Sequence, residues 1–166
     1  AGKFGLFIYG TLERLLIPTG LHHLVYTPFL YTSLGGTATV GGQVLEGARN
    51  IYYAEIADPS VAVLSQSVIW DARGISKMFG LIGACLAMYQ TARPENREKI
   101  KPVLITAAVT SFIAGVTEPI EFSFLFVAPI LFVVHAVLAG SSFVVLNLLG
   151  CCAIGPNGFI DFLLYN

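Results

Sequence analysis

Over residues 102–117 the chain has no charged side chain, and over 122–160 there is none besides the titratable His135. Inside that apolar run stand Glu118 and Glu121, in Ala-Gly-Val-Thr-Glu-Pro-Ile-Glu-Phe (114–122). Their spacing puts both carboxylates on one face of a helix. An ionised carboxylate in the middle of a bilayer costs roughly 2.5–3.5 kcal/mol on the insertion scale, so the pair predicts a buried polar site rather than lipid contact. Apolar stretches near the roughly 20 residues of a spanning helix, broken by proline, glycine and isolated charges, recur along the chain. The pattern predicts an all-α integral membrane protein, with transmembrane helices and broken or re-entrant helical hairpins.

Residues 1–34 read as a broken, cavity-lining helix. Glu13, Arg14, Pro18, Gly20, His22, His23 and Pro28 interrupt it, and each proline leaves the carbonyl four residues back without its partner. Freed carbonyls at membrane depth are tolerated only against protein or a wet cavity. Within 35–73, Gly-Gly-Thr-Ala-Thr-Val-Gly-Gly (35–42) reads as a flexible hinge. The stretch after it, with Glu46, Arg49, Glu55, Asp58, Asp71 and Arg73, is too polar to span. It is either an interfacial amphipathic segment or a re-entrant hairpin turning at Pro59 and Ser60; the hairpin is the reading adopted. Residues 74–92 form a span in which Gly80 and Gly83 allow close helix packing. Residues 93–101 carry Arg93, Arg97, Lys99 and Lys101, which makes this loop cytoplasmic by the positive-inside rule. Residues 102–138 hold a half-helix ending at Thr-Glu-Pro and a second apolar limb (122–138), the shape of a re-entrant element. Residues 139–166 are incomplete apolar segments, broken at Gly140, Ser141 and Ser142 and at the turn Gly155-Pro-Asn-Gly158. The chain opens inside an apolar run, with no initiating Met and no signal peptide, as expected of a piece of a longer protein.

Composition agrees with a membrane environment: 55% hydrophobic and 11% charged residues, against roughly 45–50% and 25% in soluble domains. A net charge of −1 gives no reason to expect a nucleic-acid partner. Cys85, Cys151 and Cys152 lie in apolar segments without metal-ligand spacing. They read as packing residues, and no metal site is expected. The ionisable groups in apolar context are Arg14, the His22–His23 pair, Glu118 and Glu121. Arginine offers five donors, a carboxylate about four acceptor sites and neutral histidine one of each, a set that suits a neutral polyhydroxylated ligand. Arg14 is equally read as a counter-ion to Glu121 or as a side chain reaching to the interface. Adjacent histidines project about 100° apart on a helix, so at most one of the pair points squarely into a common pocket and the other reads as a packing or interfacial residue. His135 reads as a helix-packing residue, and Arg49, Asp71 and Arg73 as ion pairs closing the hairpin. Tyr52, Tyr53 and Trp70 read as an interface belt, with sugar stacking as the alternative. Two other classes compete: an intramembrane metal-dependent hydrolase, which lacks a compact motif such as H-E-x-x-H, and a passive channel or membrane scaffold.

Gly-Val-Thr-Glu-Pro-Ile-Glu-Phe-Ser-Phe-Leu-Phe-Val-Ala-Pro (115–129) resembles the signature of the membrane-embedded IIC component in the glucose superfamily of the bacterial phosphoenolpyruvate-dependent sugar phosphotransferase system (PTS). Leu-Ile-Pro-Thr-Gly-Leu-His-His-Leu-Val-Tyr-Thr-Pro-Phe (16–29) resembles its Gly-Leu-His-His segment. Gly-Ala-Arg-Asn-Ile-Tyr-Tyr-Ala-Glu-Ile (47–56) and Ile-Trp-Asp-Ala-Arg-Gly (69–74) lean toward the α-glucoside/maltose branch. The resemblance implies a dimeric permease of the bacterial inner membrane. Its transport domain carries sugar across, elevator-fashion, and a IIB partner phosphorylates the sugar on its 6-position. By that resemblance Glu118 binds sugar hydroxyls near the phosphorylation site, His22 is the sugar-facing histidine, and Arg14 is a neighbouring binding residue. Either Glu118 or His22 orients the attacking hydroxyl or takes its proton. No bound cofactor is implied, since the phosphate comes from a phosphocysteine on the IIB partner. Family IIC domains are longer and include an N-terminal helical portion that builds the dimer interface, so this chain alone is expected neither to transport nor to phosphorylate.

Overall fold

The computed structural model describes residues 2–151 and 157–165 and is mostly helical. In α1, Lys3–Leu15, the buried residues are Leu6, Tyr9, Gly10, Glu13 and Arg14, the stripe of a helix packed on one face. Past its end the chain makes a 3-10 turn, Ile17–Thr19, containing Pro18 and closed by Gly20 at φ +72°, a conformation glycine adopts without strain. It restarts as α2, His22–Tyr31, with Pro28 in the last turn.

The glycine-rich stretch is not a hinge. Thr37–Val40 (β1) and Gln43–Glu46 (β2) pair antiparallel, from Thr37 opposite Glu46 to Val40 opposite Gln43. Gly41 and Gly42 join them at φ +56° and +81°, the two positive-φ positions of a tight hairpin loop. The chain is therefore mostly, not wholly, helical, and 35–73 is not a helical hairpin. It continues as α3, Ala48–Ala57, and after a turn reaches a 3-10 segment, Gln66–Asp71. Asp58 Oδ1 accepts from the Ser60 N–H (2.9 Å) and hydroxyl (2.7 Å) in that turn, bonds that hold the Asp58 carboxyl below its usual range. Buried Glu55 accepts the Ser65 N–H at 2.8 Å, tying the segment back to α3. Tyr52 and Trp70 are core residues rather than an interface belt; Trp70 packs against Phe29 and Tyr9 and accepts the Tyr9 hydroxyl on its carbonyl at 2.8 Å.

A π-helical turn, Ser76–Gly80, leads into α4, Leu81–Thr91. Gly83 has nothing within 4 Å and Gly80 only Ser76 Cβ, at 4.0 Å, so neither brings helices together. Residues 93–101 are not a loop either: α5 runs Pro94–Ala114. Proline suits a first helical position, and Glu, Arg and Lys are good helix formers. Gly115, at φ +70°, ends the helix as left-handed glycines commonly do. Thr117 then precedes α6, Glu118–Val127, and α7, Pro129–Leu148, follows after Ala128. The limb expected over 122–138 is thus split at Pro129. The break expected at Gly140 does not occur: α7 runs on through it, and Ser141 and Ser142 turn their hydroxyls back to the carbonyls of Val137 (2.9 Å) and Ala139 (2.7 Å).

Gly140 instead makes the close helix crossing. A Cβ there would lie 2.1 Å from Thr11 Oγ1 and 2.6 Å from the Phe7 carbonyl, and one on Gly10 would lie 2.6 Å from the Phe143 ring. Two glycines facing each other let α1 and α7 backbones meet. Leu6 packs with Phe143 and Leu146, while Arg14 and His135 converge further along, so the helices run antiparallel. Buried Leu81, Cys85 and Ala107 join α4 to α5, and Ile120, Phe124 and Phe132 extend that core through α6 to α7. The short α8, Phe159–Tyr165, stacks Phe159 on Phe112 of α5. Cys85 is buried as a packing residue, Cys151 is exposed, and Cys152 lies outside the described residues, as do Gly155 and Pro156 of the expected turn. Among the described residues one helix, α7, is long and apolar enough to cross a membrane.

Candidate functional site

The break between α5 and α6 lies over the C-terminal end of α1, and the residues there form a buried polar knot. Arg14 donates from Nη1 to Glu121 Oε1 (2.9 Å) and from Nη2 to Ser76 Oγ (2.8 Å) in the π turn. The same Glu121 oxygen lies 3.2 Å from His135 Nε2 on α7, and Oε2 accepts from Thr117 Oγ1 at 3.2 Å. Arg14 is 3% exposed and Glu121 not at all. A carboxylate in the first turn of α6 also sits at the positive end of that helix. Of the two readings of Arg14, the counter-ion to Glu121 is the one found, and His135 is a helix-packing residue whose ring nitrogen is satisfied by Glu121 in the same knot.

A second network adjoins the first. Arg73 donates from Nη1 to Glu13 Oε1 (3.1 Å) and from Nη2 to Asp71 Oδ1 (3.2 Å). Arg49 of α3 grips Asp71 with Nε and Nη2 at 2.8 and 2.9 Å, a two-pronged geometry that fixes orientation as well as charge. The Arg73 guanidinium lies over the Tyr26 ring, 4.4 Å from its centre, which connects the network to α2. Lys77, half-buried in the π turn, feels the charges of Arg73, Arg14, Glu13 and Asp71.

His22 and Glu118 lie at the rim. His22 is half-buried, with its Nδ1 buried and unpartnered. The charges of Glu13 and Glu118 both act on its ring. Glu118 is half-buried as well, and its Oε2 accepts the Thr117 N–H at 3.0 Å. His23 is exposed and hydrogen-bonded to the Tyr26 hydroxyl, so His22 is the histidine of the pair turned inward, though the two rings lie only 4.2 Å apart. Arg14, His22 and Glu118, singled out from the sequence, thus belong to one region, Arg14 beneath and the other two at the edge. Glu13, Lys77 and Ser76 were not singled out. The adjacent charges Glu13-Arg14 inside an apolar run were the available signal; nothing local marks Lys77 or Ser76.

Across the region Arg14, Arg49, Arg73 and Lys77 face Glu13, Asp71, Glu118 and Glu121, a balanced set. Among the described residues no three His, Cys, Asp or Glu side chains come together as a candidate metal site. The arrangement offers hydrogen-bond donors and acceptors without excess charge, at a break between helices, inside a chain whose outer surface is largely Leu, Ile, Val and Phe.

The family described as "Phosphotransferase system, EIIC" matches residues 1–140, and the chain belongs to that family, whose members are membrane permeases. Among its relatives, the PTS system maltose-specific EIICB component of Escherichia coli (strain K12) is 45% identical over 99% of this chain and 32% of its own length. The phosphotransferase IIC component GlvC of the same organism is 43% identical over 97% of this chain and 43% of its own. The PTS system alpha-glucoside-specific EIICB component of Fusobacterium mortiferum is 45% identical over 97% of this chain and 30% of its own. The chain therefore spans about a third to two-fifths of the curated relatives it matches.

Proposed function

We propose that this chain is the sugar-binding portion of a PTS permease that carries an α-glucoside such as maltose, or glucose, across the bacterial inner membrane as a IIB partner phosphorylates it. The observation that carries the reading is the rim: inward-turned His22 and half-buried Glu118 stand on a charge-balanced buried network at the α5–α6 break. The maltose- and alpha-glucoside-specific relatives support the choice of sugar. Glu118 accepts from sugar hydroxyls, His22 donates or accepts beside it, and Arg14 presents its remaining N–H groups from below while holding Glu121. In the transfer step the 6-hydroxyl oxygen attacks the phosphorus of the IIB phosphocysteine, the S–P bond breaks, and the sulfur leaves as thiolate. The hydroxyl proton passes to His22 or to Glu118, a distance-limited role open to either side chain.

In the same reading the protein is multi-pass, with other helices crossing beside α7, lipid around them, and a homodimer formed through portions outside this chain. The basic start of α5 (93–101) faces the cytoplasm, on the side where the IIB partner delivers phosphate. The test is equilibrium binding of maltose, with lactose as control, to the complete protein in detergent, wild type beside Glu118→Gln. Saturable maltose binding weakened tenfold or more in the variant, about 1.4 kcal/mol, is the expected result. Maltose binding untouched by the change would remove Glu118 from the sugar, and no binding of any α-glucoside would remove the substrate assignment.

A further inference from the structure

The seam between α4 and α5 carries an open furrow, well away from the buried polar knot. Ile82, Leu86 and Tyr89 of α4 line it with Lys101, Ile105 and Ala108 of α5, each helix contributing positions three or four apart, the spacing of one face. Ile82 and Ala108 also line a second hollow with Phe112, Ile113 and Phe159, so the two join into one track. Leu86, Ile105 and Ile113 are exposed along it. Beyond Tyr89 and Lys101, and Cys85 apart, the side chains lining the track are hydrocarbon. From Lys101 to Ile113 the helix rises about 18 Å, close to the depth of one leaflet, half of the roughly 30 Å hydrocarbon core of a bilayer.

One end of the track is cationic. Lys101 lines it, and its side chain is 48% exposed, with a long contact of 3.9 Å to the more exposed Glu98; exposed pairs of this kind hold weakly. The Arg97 guanidinium lies over the Tyr89 ring, 5.5 Å from its centre. Its Nη2 donates to the carbonyls of Gln90 (2.9 Å) and Ala92 (3.4 Å), and its Nε is buried with no hydrogen-bond partner. Arg93 and Lys99 are exposed on the same stretch, with Glu95 and Glu98 as its acidic side chains, so positive charge exceeds negative there. Leu81, Cys85 and Ala107 already hold α4 and α5 together in one core. A further helix, roughly 10–12 Å across, would bridge such a seam without filling it, whereas a single acyl chain lies along it.

We infer that the α4–α5 furrow binds an anionic glycerophospholipid, with its phosphate on Lys101 and Arg97 and one acyl chain along the track toward Phe112 and Phe159. Basic pockets between membrane helices hold anionic headgroups in this manner. The inference rests on the family's place in the membrane and not on the choice of sugar. The bound lipid fixes the basic start of α5 at the membrane surface, the level at which a tyrosine such as Tyr89 is at home.

The test is native mass spectrometry of the complete, delipidated protein, titrated with phosphatidylglycerol and separately with phosphatidylcholine of the same acyl chains. Wild type should bind its first phosphatidylglycerol at least tenfold more tightly than phosphatidylcholine. The double variant Arg97→Gln, Lys101→Gln should erase that preference. Ala108→Phe, which puts a ring where the two hollows join, should weaken both lipids, and glycerol 1-phosphate, a headgroup without chains, should displace neither. Equal binding of the two lipids to wild type overturns the inference and leaves the cations to an acidic protein partner. Displacement by glycerol 1-phosphate overturns it in favour of a soluble phosphate. A preference that survives the double variant, or binding unweakened by Ala108→Phe, overturns the placement in this furrow. If losing the Arg97 bonds to Gln90 and Ala92 prevents folding, Lys101→Gln alone changes an exposed side chain; it should lower the preference, and an unchanged preference there overturns the inference too. Maltose binding by the same samples should persist in the lipid-site variants, so failure of the sugar reading is distinguishable from failure of this one.

Discussion

Glu118 and Glu121 are three residues apart on the first turn of α6 and live in different environments. Glu121 points inward, is wholly buried, and has both oxygens bound, to Arg14 and His135 on one side and to Thr117 on the other. Glu118 lies at the rim, half-buried, with one oxygen held by the N–H of the preceding residue. Two carboxylates from one motif therefore divide the work. Glu121 staples α6 to α1 and α7, and in the proposed function Glu118 is the one that meets the ligand. The lesson is about location: the buried member stabilises the break between helices, and only a group at its edge can exchange one partner for another as substrate comes and goes.

The largest effect should come from the staple. Removing one partner of a buried ion pair leaves the other charge uncompensated and costs roughly 3–5 kcal/mol, so Glu121→Ala should sharply lower the thermal unfolding midpoint in detergent. Unchanged unfolding would mean that Arg14 finds another partner and that the two glutamates are not so different. Next comes Gly140→Ala. Its Cβ would lie 2.1 Å from Thr11 Oγ1 and 2.6 Å from the Phe7 carbonyl; overpacking of this kind costs about 1–3 kcal/mol. Because α1 carries Arg14 and α7 carries His135, forcing them apart should lower stability and sugar affinity together, which separates this variant from a change at the rim alone. The smallest effect has the opposite sign: Gly83→Ala, in open space within α4, should stabilise by about 0.5–1 kcal/mol through helix propensity. It should leave maltose binding unmoved, and a binding change there would show that the site reaches further than the α1–α6–α7 junction.

The parts legible in the sequence are those written in adjacent residues. Thr-Glu-Pro marks the interruption before α6, because charge and proline in an apolar run have few inert explanations. The separation of α1 from α2 has its local cause in Pro18. What was not legible depends on residues far apart or on balances within a segment. The Glu13–Arg73 pair joins positions 60 apart in the chain, and neither neighbourhood points to the other. The 35–42 glycines look like a hinge until Thr-Ala-Thr-Val and Gln-Val-Leu-Glu are seen to pair across Gly41 and Gly42. The charges of 93–101, which signal an exposed loop, are also good helix formers behind a proline, and they extend α5 at its N-terminal end. Gly140, taken for a break, is instead the point where two helices touch.

The division between Glu118 and Glu121 is tested most directly by measuring maltose affinity and thermal unfolding in the same detergent preparation for Glu118→Gln and Glu121→Gln. The account predicts a crossed pattern. Glu118→Gln weakens maltose at least tenfold, about 1.4 kcal/mol, with the unfolding midpoint unchanged, while Glu121→Gln lowers the midpoint. If Glu118→Gln instead unfolds early, or if Glu121→Gln costs affinity without costing stability, the assignment of one glutamate to the ligand and the other to the scaffold is contradicted.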